Sequence, residues 1–135
     1  MNKNSIFIDT GGFYSLLVSN DSYHKSAIAI VSSQKNSFVT SDYVLDETLT
    51  LLKSRGIAKQ VNTLLEIIRE SESITVERLG QERFNSSVNF YASRLDRGYS
   101  FTDCTSFILM EELGLTKALA NDKHFSQAGF VPLLK

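Results

Sequence analysis

Four acidic side chains could do chemistry together in this sequence: Asp9, Glu47, Asp103 and Asp122. Carboxylates gathered within a few ångströms repel one another, by roughly 4 kcal/mol per pair at 4 Å and an effective dielectric of 20. Such a cluster is tolerable if some members are protonated or if a divalent cation lies among them. Oxygen ligands suit Mg²⁺ or Mn²⁺, and the sequence has no histidine pair or cysteine cluster that would favour zinc.

Two of these acids follow short apolar runs that predict buried β-strands. Asp9 follows residues 6–8, and Asp122 follows residues 117–120. In an α/β domain, ligands bind beyond the carboxyl ends of parallel strands, where the strand order reverses. We therefore expect Asp9 and Asp122 to share one crevice, although each could instead be an ordinary turn or capping residue.

The other two acids fall on predicted helices. In the helix that begins at Ser41, Glu47 lies at the border of the apolar stripe, whereas Asp46 points away from it toward solvent. Glu47 is the better candidate, because a carboxylate turned toward a core needs a cation, a donor or a metal. Asp103 follows Thr102, the predicted cap of a strongly apolar helix. It opens into a crevice or, alternatively, only stabilises the helix dipole.

The elements that must position these residues alternate along the chain. Apolar runs predict strands near residues 6–8, 38–40, 73–76, 117–120 and 131–133. Periodic segments predict helices near residues 13–18, 24–33, 41–55, 57–69, 81–94, 102–113 and 123–127, and a tight loop over residues 9–12. This alternation predicts one α/β domain, residues 1–135, with a central, mainly parallel β-sheet flanked by helices.

Composition excludes several classes of protein. The 135 residues are 42% hydrophobic and 21% charged, with one proline, which is typical of a soluble globular domain. No apolar run approaches the roughly 20 residues of a membrane span. Cys104 alone cannot form an internal disulfide. With no secretory signal visible, we expect a cytoplasmic protein. Setting the four candidates aside leaves 11 acidic residues against 14 basic ones, a mild attraction for a polyanion.

The four acids lie in four separate motifs, at residues 7–10, 40–48, 100–107 and 120–125. Together these motifs resemble the PIN domain family, most closely the VapC-like toxin ribonucleases, over nearly the whole chain. In two places the sequence departs from the family pattern. Gly11 and Gly12 stand where Ser-Ala is more usual, which could loosen the first loop, and Asn121 stands where Thr or an aromatic residue is frequent.

The resemblance implies a Mg²⁺- or Mn²⁺-dependent endoribonuclease, the toxin of a type II toxin–antitoxin pair. Its metal-binding and catalytic acids would be Asp9, Glu47, Asp103 and Asp122. We expect Asp9 and Asp103 to contact the ion directly, and the other two to complete the shell, bind a second ion or orient the water. Thr10 and Thr102 could support the shell by hydrogen bonds. An RNA substrate, a cognate antitoxin and a homodimer are the implied partners.

Other interpretations are weaker. An aspartyl-phosphate phosphatase needs a second Asp two residues after the first, where Gly11 stands, and a receiver-like domain needs paired acids near the N-terminus. No Gly-rich phosphate loop is present. His24 and His124 are too separated in sequence to predict an acid–base pair, and His124 is interpreted as a surface residue that could alternatively touch phosphate. A non-catalytic PIN-like module that binds RNA or an antitoxin is the remaining alternative.

Overall fold

A five-stranded parallel β-sheet forms the centre of the protein in the computed structural model, which describes residues 4–33 and 35–135. Its strands are β1 (Ile6–Ile8), β2 (Phe38–Ser41), β3 (Ile74–Glu77), β4 (Lys117–Leu119) and β5 (Val131–Pro132). They lie in the order β3-β2-β1-β4-β5, and every pairing is parallel. The strand order therefore reverses between β1 and β4, and a crevice is expected at their carboxyl ends.

Seven helices flank this sheet within the described residues: α1 (Thr10–Leu17), α2 (His24–Ser32), α3 (Asp42–Ser54), α4 (Gln60–Glu70), α5 (Gly80–Ser93), α6 (Phe101–Leu113) and α7 (Lys123–Gln127). The prediction of a single α/β domain with a parallel sheet is confirmed. Every residue of β1 and β2 is buried, as expected for central strands covered on both faces. Among the described helices none is long and apolar enough to cross a bilayer.

The start of α1 differs from the predicted loop over residues 9–12. The helix begins at Thr10, directly after β1, so Gly11 and Gly12 lie in its first turn. Glycine is a poor helix former, and two successive glycines predict a loop when only helix propensity is considered. The physical reason for Gly12 is close packing, because a Cβ there would lie 2.2 Å from the carbonyl oxygen of Leu119.

Capping side chains fix where the two site-bearing helices begin. Ser41 caps α3 as predicted, its hydroxyl accepting the Val44 N–H at 3.1 Å. The prediction that Thr102 caps α6 was wrong, because Ser100 is the cap. Its hydroxyl accepts the Asp103 N–H, and the Asp103 carboxylate accepts the Ser100 N–H, both at 3.0 Å. This reciprocal capping box places the cap two residues earlier than predicted and fixes the Asp103 side chain in the first turn of the helix.

Candidate metal centre

Asp9 carries a buried carboxylate directly after β1. Its backbone N–H donates to the carbonyl oxygen of Leu119 at 3.3 Å, which ties the end of β1 to the end of β4. The residue is only 6% exposed, and its Oδ1 atom accepts no hydrogen bond from any described residue. Burial, followed by repulsion from Asp103, raises the pKa of Asp9 to about 7. A buried carboxylate in this state needs either a proton or a cation.

Asp103 occupies the third position of α6 and is also buried. Burial raises the pKa of this carboxyl above its usual range, and the nearby charges of Asp122 and Glu47 act in the same direction. The hydrogen bond from the Ser100 N–H and the neighbouring His124 oppose that increase. The pKa of Asp103 is thus raised for the same reasons as that of Asp9, namely loss of water and crowding by other acids.

Asp122 and His124 come to the site together through the short helix α7. Asp122 caps this helix, and its Oδ1 accepts the His124 N–H at 2.9 Å. The ring Nδ1 of His124 lies 3.2 Å from Oδ2 of Asp103 and 3.2 Å from Oδ1 of Asp122. Ligand atoms of all three residues lie within 4.8 Å of one another. The interpretation of His124 as a surface residue is therefore corrected, because its side chain is 19% exposed and faces two carboxylates.

Glu47 lies on α3 at the edge of this group, half-buried, whereas its neighbour Asp46 is exposed as predicted. Neither Glu47 nor Asp9 belongs to the 4.8 Å group, but the charge of Glu47 raises the pKa values of Asp9 and Asp103. A groove of about 340 Å³ opens beside it, lined by Asp46, Glu47, Thr50, Leu51, Ser54 and Thr102. The crevice at the carboxyl ends of the strands thus contains three predicted acids and one histidine, namely Asp9, Asp103, Asp122 and His124. Glu47 lies at the edge of the crevice, where the groove begins.

Thr10 does not take the supporting position that was predicted for it. Its hydroxyl oxygen is buried and has no hydrogen-bond partner among the described residues, so the hydroxyl holds none of the carboxylates. The Thr10 backbone, by contrast, hydrogen-bonds the Asp9 carboxylate and opposes the rise in its pKa. Asp103 is instead oriented by Ser100, which the sequence interpretation had not singled out. The signal was available, since a serine three residues before an acidic residue is a capping-box pattern.

Comparison with known proteins identifies the architecture that holds these acids. The PIN domain model matches residues 6–131. The chain belongs to the PIN domain family. It is 34% identical over 126 residues to the "23S rRNA-specific endonuclease VapC20" of Mycobacterium tuberculosis, covering 93% of this chain and 95% of that protein. It is 33% identical over 127 residues to a "VapC ribonuclease" of Archaeoglobus fulgidus, covering 88% of this chain and 78% of that protein.

A solved structure agrees with this assignment. The crystal structure of Mycobacterium tuberculosis VapC20, described as a "Sarcin-Ricin loop cleaving toxin", superposes with a TM-score of 0.88. The sequence identity is 33%, and the match covers 97% of this chain and 100% of that one. The resemblance to VapC-like PIN proteins that the four acidic motifs indicated is confirmed.

The residues of this PIN domain fit a divalent cation. Oδ1 of Asp9 is a buried acceptor with no donor among the described residues. Asp9 and Asp103 both have raised pKa values, because burial removes them from water and other acids lie close by. A cation among these oxygens would provide the missing partner and remove the repulsion. PIN nucleases are metal-dependent, and the group formed by Asp103, Asp122 and His124 could bind such an ion.

Proposed function

We propose that this PIN protein is an endoribonuclease, dependent on Mg²⁺ or Mn²⁺, that hydrolyses RNA phosphodiester bonds as the toxin of a type II toxin–antitoxin pair. The observation that carries the proposal is the buried Asp9 carboxylate beside Asp103 at the switch point of the sheet, whose Oδ1 accepts no hydrogen bond from any described residue. Relatives covering most of the chain are named as ribonucleases, which supports RNA as the substrate class.

A structured ribosomal RNA is the first substrate to consider. One relative is named for 23S rRNA, and the solved relative for cleavage of the sarcin–ricin loop. Proteins reach the bases of RNA mainly in loops and bulges, where the bases are unstacked. The groove between α3 and Thr102 borders Glu47 and gives such a loop a path to the carboxylates.

We assign each acid a role in hydrolysis of the phosphodiester bond. We assign Asp9 and Asp103 as direct ligands of the ion, with Asp122 completing the shell. When bound, the divalent ion lowers the pKa of a water molecule and offsets the charge that develops on the phosphate. We assign Glu47, which lines the groove, to orient the attacking water. Whether one ion or two are held does not change these assignments.

The protein contributes by positioning its carboxylates. The capping box with Ser100 holds the Asp103 carboxylate at the N-terminus of α6, and the buried Asp9 directly follows β1. Water attacks phosphorus and the P–O3′ bond breaks. The products carry a 5′-phosphate and a 3′-hydroxyl, and the 2′-hydroxyl of the RNA takes no part as a nucleophile.

Two protein partners belong to this proposal. A homodimer is supported by an exposed apolar stripe on and just beyond α5, formed by Phe84, Val88, Tyr91 and Leu95. The spacing of four and three residues places Phe84, Val88 and Tyr91 along one face of α5, and Leu95 lies in the turn that follows the helix. A cognate antitoxin would inhibit the enzyme by covering the groove beside Glu47.

The test is cleavage of a sarcin–ricin loop oligonucleotide by the purified full chain. We expect cleavage with Mg²⁺ or Mn²⁺, none with EDTA, and a loss of at least 100-fold in the Asp103→Asn variant. A substrate with a single 2′-deoxy sugar at the cleaved position should still be cut, with a 5′-phosphate on the downstream fragment. Cleavage that persists in EDTA, or that requires the 2′-hydroxyl, would contradict the mechanism.

A protein that binds the RNA but never cleaves it, and that shows no saturable uptake of Mn²⁺ in calorimetry, would instead be the non-catalytic module. Loss of cleavage in Asp103→Asn with unchanged folding, measured by circular dichroism, separates a catalytic defect from a structural one.

A further inference from the structure

The imidazole of His124 lies in the candidate metal site, against the carboxylates of Asp103 and Asp122. Its edge packs against the ring of Tyr99, with centroids 5.5 Å apart and planes at 79°. Gly98 leaves room for the ring, since a Cβ at that position would lie 3.0 Å from Nε2. The backbone N–H of His124 is bonded to the Asp122 carboxylate at 2.9 Å. Packing and main chain together point Nδ1 toward the acids.

The distances around Nδ1 match those between neighbouring ligands of one ion. Nδ1 is 3.2 Å from Oδ2 of Asp103 and 3.2 Å from Oδ1 of Asp122. Adjacent ligands of an octahedral ion with bonds of about 2.1 Å are separated by about 3 Å. A second, independent observation lies beside this group: Oδ1 of Asp9, whose pKa is raised by burial and by the charges of Asp103 and Asp122, has no partner among the described residues.

We propose that His124 binds the divalent ion through Nδ1 and so makes the site selective for Mn²⁺ over Mg²⁺, an inference that rests on the proposed metal-dependent nuclease. Coordination through Nδ1 requires the ring proton to be on Nε2. Imidazole nitrogen is a better ligand for first-row transition ions than for Mg²⁺, which prefers oxygen ligands and retained water. The all-oxygen set predicted from the sequence thus becomes a mixed oxygen and nitrogen set.

The competing interpretation is that His124 only donates a hydrogen bond from Nδ1 to the two carboxylates. In that case it is a positioning residue, and its removal would weaken all ions alike by leaving Asp103 and Asp122 less well oriented. The two interpretations therefore differ in the Mn²⁺-to-Mg²⁺ ratio and in whether a nitrogen atom is bonded to the ion.

The experiment measures ion binding to the metal-free full chain without RNA. Calorimetry gives the dissociation constant for Mn²⁺, and competition against Mn²⁺ gives that for Mg²⁺, in wild type, His124→Ala and the control His24→Ala. His24 is the other histidine of the chain, and its ring contacts the carbonyl oxygen of Ser15 in α1. We expect His124→Ala to lose at least tenfold in Mn²⁺ affinity but less than threefold in Mg²⁺ affinity, and His24→Ala to keep the wild-type ratio.

Electron spin echo spectroscopy of the bound Mn²⁺ provides a direct readout of the nitrogen ligand. We expect ¹⁴N coupling in wild type and His24→Ala, replaced by ¹⁵N coupling when wild type is grown with ¹⁵N-histidine. This labelled wild type requires no substitution, so it remains decisive if His124→Ala does not fold. The coupling should be absent from a folded His124→Ala variant.

Two results would overturn the inference in distinguishable ways. Saturable Mn²⁺ binding without histidine nitrogen coupling, or an equal loss of affinity for both ions in His124→Ala, would make His124 a positioning residue and leave the proposed nuclease intact. Failure of wild type to take up Mn²⁺ at all would remove both the inference and the proposed metal-dependent function.

Discussion

Gly12 in α1 lies directly against the main chain of Leu119 in β4, so closely that a Cβ on Gly12 would be 2.2 Å from the Leu119 carbonyl oxygen. The same oxygen accepts the backbone N–H of Asp9 at 3.3 Å. The first turn of α1 is therefore seated on the end of β4, three residues before Asp122. This contact brings the acids that follow β1 and β4 to one edge of the sheet.

We predict that Gly12→Ala destabilises the protein whereas Gly11→Ala does not. At Gly12 the new methyl group meets backbone that cannot move without breaking the Asp9 contact, and such overpacking costs about 1–3 kcal/mol. At Gly11 the nearest atom to a Cβ is the side-chain Oδ1 of Asn121, at 3.3 Å. Asn121 is exposed and can shift, and helix propensity favours alanine by about 0.5–1 kcal/mol. The free energy of unfolding in urea checks both variants, and equal stability of the two would contradict the packing argument.

Most of the fold and the approximate position of the site could be predicted from sequence because their signals are local. Apolar runs that end at an acid, such as residues 6–8 before Asp9, mark both a strand and the edge where ligands bind. The early start of α1 could not be predicted, since only the tertiary contact of Gly12 explains a glycine in that helix.

The position of His124 was missed for a different reason. A histidine in a short polar segment gives no periodic signal, and its role depends on a cap at Asp122 and on room left by Gly98. Both are properties of the folded chain. The four carboxylates could be named from their motifs, but the nitrogen atom among them is visible only from distances across α6 and α7.

Stability of the metal-free protein should fall as the pH rises from about 4 to about 7. The pKa of Asp9 is near 3.9 in an unfolded chain and about 7 when folded, so the native state binds more protons in this interval. The folded state is then penalised as Asp9 ionises, by roughly 2–4 kcal/mol once the pH is above 7. Asp103, whose pKa is also raised, adds a slope of the same sign.

Urea unfolding in EDTA across this interval measures the effect. Asp9→Asn should flatten most of the pH dependence, leaving the part due to Asp103, whereas Asp46→Asn, an exposed control, should leave it unchanged. Saturating Mn²⁺ should stabilise wild type more at about pH 8 than at about pH 5, because only ionised carboxylates bind the ion. A stability that is constant or rises between pH 4 and 7 would refute the assignment of Asp9 as a desolvated acid.

Adjacent acids on α3 should differ sharply in their effect on RNA cleavage. Glu47 is half-buried and its charge acts on Asp9 and Asp103, whereas Asp46 is exposed. We expect Glu47→Gln to reduce the cleavage rate at least 100-fold, and Asp46→Asn to stay within about threefold of wild type. Single-turnover rates at saturating Mg²⁺ separate this effect from weaker RNA binding. Similar losses of cleavage rate in both variants would mean that the two side chains act through the groove that both line, and that Glu47 has no separate role in the acid cluster.

Two exposed lysines, one at the start of β4 and one shortly after its end, test whether RNA binds at the carboxyl edge of the sheet. Lys117 begins the strand, and Lys123 follows it next to Asp122 at the carboxyl edge of the sheet. We expect Lys123→Gln to weaken binding of non-cleavable RNA about threefold or more and to lower the salt slope by about 1, with no change for Lys117→Gln. Filter binding at several salt concentrations measures both. An equal response of the two lysines would place the RNA elsewhere.

The exposed apolar stripe on and just beyond α5 should determine whether the chain forms a dimer. Leu95 is 68% exposed and lies two residues beyond the end of α5, the helix that carries the exposed Val88 and Tyr91. Leu65, 40% exposed on α4, is a matched leucine outside that stripe. We expect a dimer of the wild type in light scattering, a monomer for Leu95→Glu because a charge would be buried without a partner, and an unchanged dimer for Leu65→Glu. If the purified wild type is a monomer, the stripe does not form a homodimer interface and is instead available to an antitoxin. If the Leu95→Glu variant is still a dimer, the dimer interface lies on another face.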